Sequence, residues 1–97
     1  MKTSNILLKA KITRTIGMEM HLRKVSCTFQ IDSCRIFDPI TQARKAPPNK
    51  IQFCLELPDA KFLAALAGSK EVLLTGTYDQ TQKMVVVSHK RDFVISY

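Results

Sequence analysis

Residues 50–78, KIQFCLELPDAKFLAALAGSKEVLLTGTY, constrain the fold more than any other stretch. Ile51, Phe53, Leu55 and Leu57 alternate with Gln52, Cys54 and Glu56. That period of two belongs to a strand with one buried face. Pro58 has no N–H to donate, so the ladder stops there. Pro-Asp suits a first helical turn, where an acid meets the positive end of the dipole. Phe62, Leu63 and Leu66 fall on one helical face, with Ala60, Ala64, Ala65 and Ala67 as good helix formers. Gly68 fits the position just past a helix end, where φ turns positive. Val72, Leu74, Gly76 and Tyr78 then alternate as another strand. The segment predicts strand, short helix, strand.

The rest of the chain reads as strand. Over residues 5–16, Ile6, Leu8, Ala10 and Ile12 point one way and Leu7, Lys9, Lys11 and Thr13 the other. Gly17 is expected to end this strand, with Met18–Arg23 as a loop or a long hairpin turn. Residues 25–37 form a second strand with Val25, Cys27, Phe29 and Ile31 inward. Its phase is lost near Asp32-Ser33, which calls for a bulge or bend. A bent strand of that length can serve both sides of a small barrel. Residues 38–50, DPITQARKAPPNK, are the longest predicted loop. Residues 79–83 are a polar hairpin connection. Met84–Val87 and Asp92–Ile95 make a last strand or pair of strands, interrupted at His89-Lys90-Arg91.

Ninety-seven residues make a single domain, 1–97, with a modest core. The net charge of +7 points to an anionic partner or surface. Its distribution says more. Residues 1–50 hold ten Lys/Arg against Glu19, Asp32 and Asp38, a net +7, whereas residues 51–97 hold five of each sign. Cys27, Cys34 and Cys54 are odd in number and contain no CxxC pair, which argues against a disulfide framework. The apolar run near the start is too short for a signal peptide, and no stretch reaches the length of a membrane span. These features predict a reduced, cytoplasmic protein.

The predicted order is strand, strand, strand, helix, strand, strand. This is an all-β chain with one short helix, in the order of a five-stranded oligonucleotide/oligosaccharide-binding (OB) barrel. On Ile51–Leu57 running into Pro58–Gly68, then Glu71–Tyr78 with its Leu-Thr-Gly-Thr, and the closing hairpin to Val94–Tyr97, the chain resembles a family. It looks like the bacterial single-stranded DNA-binding proteins and, more closely in length, the primosomal replication protein B family. The likeness covers the second half well and the first half in strand layout alone. It implies a DNA-replication role, replication proteins as partners, and a homodimer or higher homo-oligomer. Two departures matter. No acidic tail follows Tyr97, which favours the primosomal type or a specialised relative. The chain has no Trp, so stacking falls to Phe, Tyr or Arg.

In an OB barrel, single strands lie across the second and third strands, between the first and last hairpins. Cations there neutralise phosphates, and flat rings hold bases. The expected cations are Lys9, Lys11 and Arg14 on the first strand, Arg23 and Lys24 in the first hairpin, and Arg35 ending the second strand. Arg44, Lys45 and Lys50 belong to the long loop, and Lys83 to the last hairpin. Phe37 either stacks on a base or plugs the barrel end. Phe29, Phe53 and Phe62 read as core. Tyr78 faces either the core or the groove, and Phe93 and Tyr97 serve packing or a dimer contact.

His21, His89 and the three cysteines are too scattered for zinc spacing, so neither metal nor cofactor is expected. No phosphate loop, HExxH or GxSxG motif is present, so no enzyme is expected. The leading expectation is single-stranded DNA binding with little sequence preference; RNA is a third reading, since nothing marks a 2′-OH sensor. The alternative class is an adaptor subunit of a replication, conjugation or secretion complex, using Leu7, the Met18–Leu22 cluster and the strand ending at Tyr97.

Overall fold

A computed structural model describes residues 4–36, 47–57 and 71–96. The described chain is nearly all strand: β1 (Ser4–His21), β2 (Lys24–Ile36), β3 (Lys50–Glu56), β4 (Glu71–Asp79), β5 (Met84–Val87) and β6 (Phe93–Ser96), with one 3-10 turn at Lys90–Asp92. The predicted helix after Pro58 and most of the predicted long loop lie outside the described residues.

The strands pair in a closed ring. β1 pairs with β2, β2 with β3, β3 with β5, β5 with β4, and β4 again with β1; β6 adds to β4 beyond the ring. All pairings are antiparallel except β3–β5, where Lys50–Phe53 run alongside Met84–Val87. One strand can join both sides because β1 is 18 residues long. Its first part, Ser4–Lys11, pairs with Tyr78–Glu71 of β4, and from Leu8 onward it pairs with β2. The bridging strand is therefore β1, not the second strand.

Bulges bend it there. Lys11 pairs with Ser33 and Ile12 with Ile31, leaving Asp32 as an extra residue on β2. This is the bulge that the loss of phase at Asp32-Ser33 demanded. On β1, the steps from Ile12 to Arg14 and from Thr15 to Gly17 leave Thr13 and Ile16 extra. Extra residues increase local bend and twist, which turning a sheet back on itself requires.

Gly17 does not end the first strand. It pairs with Thr28, and the ladder continues to His21 opposite Lys24. As long as β2 supplies backbone partners, one glycine is tolerated. The turn is only Leu22-Arg23. Leu22 stands at φ 56°, a left-handed conformation usually given to glycine in a two-residue hairpin.

The alternating apolar sets converge inside the ring. Ile6, Leu8 and Ile12 of β1, Val25, Cys27 and Phe29 of β2, Ile51, Phe53 and Leu55 of β3, and Val72 and Leu74 of β4 are buried. Phe53 is the hinge of the packing: its ring meets Phe29 at 5.7 Å and Phe93 at 4.8 Å, both edge to face. Such pairs contribute about 0.5–1.5 kcal/mol beyond burial. Tyr78 is buried, so it faces the core and not a groove. Gly76 lies where β4 approaches β5: a Cβ there would stand 2.6 Å from Val85 Cγ1 and 2.7 Å from the Val86 carbonyl oxygen.

Candidate nucleic-acid interface

The outer wall of the ring is built by the residues that alternate with the core. On β2 and β3 it is polar and half-buried: Ser26, Thr28 and Gln30 beside Cys54, Gln52 and Lys50. Its centre carries no charge and no ring. Ser26 Oγ and Cys54 Sγ lie 3.7 Å apart.

The cations are arranged around that centre in three groups. The first lies along β1. Lys9 and Lys11 are exposed on alternate positions, and Arg35 of β2 sits directly opposite Lys9 in the ladder. Two like charges facing each other across a ladder destabilise it. Glu71 offsets part of this, with its Oε2 3.4 Å from Lys9 Nζ. Both groups are about half exposed, so the pair contributes little to stability. Lys9, Lys11, Arg35, Cys34 and Glu71 border a shallow depression. Farther along β1, Arg14 donates from Nε to Gln30 Oε1 at 2.8 Å, while Thr13 donates to the Gln30 carbonyl at 3.1 Å. Gln30 thus aims Arg14 along the outer wall.

A second group joins Lys50 and Lys83. Asp79 shapes the hairpin before Lys83: its Oδ1 accepts from the Thr81 and Gln82 amides at 3.0 and 3.3 Å, a side chain standing in for a backbone turn. Lys83 ends the hairpin at φ 54°. Its carbonyl accepts from the Asn49 amide at 2.9 Å and the Lys50 amide at 3.3 Å. The last hairpin is thereby tied to the start of β3, and the two lysines become backbone neighbours.

The third group, Arg23 and Lys24, is at the far hairpin. There acids stand nearby. Glu56 is Lys24's partner in the β2–β3 ladder, and Glu19 lies on the same wall opposite Ser26. A depression of roughly 780 Å³ spans Glu19, His21, Leu22, Lys24, Cys54 and Glu56. Arg23 and Lys24 thus stand at an end of the wall that also carries two acids. Phe37, Arg44 and Lys45 lie outside the described residues, as do Phe62 and Tyr97.

Two features of the surface escape a reading by residue type. One is the placing of acids near the hairpin cations, which depends on neighbours from other strands. The other is the hairpin's apolar face: Ile16, Met18, Met20 and Leu22 are exposed, Leu22 to 86%. Leu7, by contrast, is half-buried. Among the described residues, no three His, Cys, Asp or Glu side chains converge as metal ligands, and no helix is long and apolar enough to cross a membrane. Comparison with known proteins gives no match to a protein family, a curated protein or a solved structure.

Proposed function

We propose that the chain is an OB-fold protein that binds single-stranded nucleic acid without catalysis. Within that class we read it as a replication-type, primosomal-like single-stranded DNA binder of the cytoplasm. The fold reading is supported by the ring order β1-β2-β3-β5-β4, by the return of β1 to β4, and by the parallel β3–β5 pairing. These are the connections a five-stranded Greek-key ring requires. The observation that carries the function is the outer wall: Lys9, Lys11, Arg14, Arg35 and Lys50 stand on one ring of strands, with Lys83 in the hairpin tied to Lys50, around a wholly apolar core.

The test is fluorescence anisotropy of a labelled oligothymidine at two salt concentrations, with duplex DNA and oligouridine as competitors. Binding is expected to weaken steeply with salt, the slope changing by about 0.7 per phosphate contact on a single strand. Duplex DNA is expected to compete poorly; oligouridine decides between DNA and RNA. Absence of binding at low salt, or binding indifferent to salt, sinks the reading.

A second reading is favoured by the hairpin face of Ile16, Met18, Met20 and Leu22. Exposed apolar residues in one continuous strip mark protein contacts more often than solvent-facing surface. On this reading the chain is an adaptor, or a homodimer formed through that hairpin. Light scattering of the wild type beside Met18→Ser/Met20→Ser tests the homodimer: a monomeric wild type removes it.

A further inference from the structure

The geometry points to a polynucleotide that lies along β1, held by its phosphates, with no base stacked on the β2–β3 face. This inference rests on the nucleic-acid reading above and names the path and the recognised group. Three observations carry it.

First, β1 carries the longest line of cations, and the single carboxylate of Glu71 serves both Lys9, at 3.4 Å, and Lys11, its ladder partner, which leaves cations in excess. Lys9 and Lys11 recur every second residue, about 6.7 Å apart along a strand, and Arg35 stands across the ladder from Lys9. Arg14 continues the line, held by Gln30. A linear series of cations matches a linear series of phosphates. Second, Lys9 and Arg35 form a like-charged cross-strand pair that Glu71 offsets only from one side. A phosphate between them would relieve the repulsion, so binding there gains from removing a cost already present in the free protein. Third, the β2–β3 wall offers hydroxyls, amides and a thiol but no ring. All four described aromatic residues, Phe29, Phe53, Phe93 and Tyr78, are buried. Stacking needs an exposed flat face, and this wall presents none.

The experiment uses the whole chain and the oligothymidine titration, with two variants and one competitor. The first variant is Lys9→Thr/Lys11→Thr/Arg35→Thr; threonine suits exposed strand positions, so the fold is expected to survive, as a urea melt checks. The second is Thr28→Ala/Gln52→Ala on the β2–β3 wall. The competitor is an abasic phosphodiester oligomer of equal length. The triple variant is expected to bind at least tenfold more weakly, with a log–log salt slope flatter by about 2, three contacts at about 0.7 each. The double variant is expected to stay within threefold of wild type. The abasic oligomer is expected to compete within threefold of oligothymidine. An abasic oligomer at least tenfold weaker, or a loss confined to the double variant, overturns the inference while leaving the nucleic-acid reading standing. Failure of the wild type to bind any polymer at low salt overturns both.

Discussion

Gly76 and Gly17 are both strand glycines, and their surroundings set them apart. Beside Gly76 a Cβ would meet backbone and a branched side chain closer than 3 Å. Neither can swing away, because the β4–β5 pairing holds them. Gly76→Ala is therefore expected to cost about 1–3 kcal/mol. Gly17 has nothing within 4 Å of the same position, so Gly17→Ala is expected to be neutral or to stabilise by up to about 1 kcal/mol. Urea melts of the two variants test this directly; equal effects would contradict the packing described for β4 and β5. Two thiols and a phenol make stability fall at alkaline pH. Burial pushes Cys27 and Cys34 up from the ordinary 9.0. Burial also pushes Tyr78 up from 10.0, with the charges of Cys34 and Asp79 adding to it. In each case the folded chain keeps a proton that the unfolded chain releases sooner. Stability is thus fully present below about pH 9 and declines as pH rises through the raised folded values. Melts at pH 7.5, 9.5 and 10.5 are expected to show that decline, and Cys27→Ala should make it shallower.

At the level of elements, Asp32 is the residue that matters most for what it displaces. As an extra residue on β2, it lets Ile31 and Cys34 both serve the inner side although three positions separate them. Deleting Asp32 would leave Ile31 and Cys34 two positions apart, so the run from Ser33 to Ile36 would keep its facing and its register with β1 while the bend is lost. The deletion is expected to keep a cooperative transition, lowered in temperature by the lost bend, as near-UV circular dichroism during a thermal scan would reveal; loss of cooperativity would refute the register. This bulge was legible from the chain because one-sided burial makes alternation strict, so a break in phase needs a structural cause. The strands Val25–Ile31, Ile51–Leu55 and Val72–Tyr78 were legible for the same reason. The length of β1 was not. Gly17 reads as a breaker, yet backbone pairing with Thr28 carries the strand past it, and Met18 and Met20 continue the apolar phase without being buried. The parallel β3–β5 pairing was also hidden, since backbone hydrogen bonds leave no mark on side-chain pattern. Site residues were legible by type alone. Which cations keep free charge depends on strands far apart in sequence, as Glu56 beside Lys24 and Glu71 beside Lys9 show.

For the whole molecule, most contacts join distant parts of the chain. Ring closure pairs Ser4 with Tyr78 and Lys11 with Glu71. Topologies of this kind fold in milliseconds to seconds, because the loop entropy must be overcome before the contacts form. Stopped-flow refolding is expected in that range, and a microsecond phase carrying the full amplitude would contradict it. The same closure has a meaning for synthesis. Of the ring strands, β1 waits longest for its second partner: residue 4 leaves the ribosome roughly 4 to 15 s before residue 78 at about 5–20 residues per second. Throughout that interval Ile6 and Leu8 lack their far wall, and the open side of β1 is a sticky template for any nascent neighbour. The lysines that alternate with them keep the half-made sheet repelling its own copies, so the charge attributed above to nucleic acid would also protect the protein while it is being born.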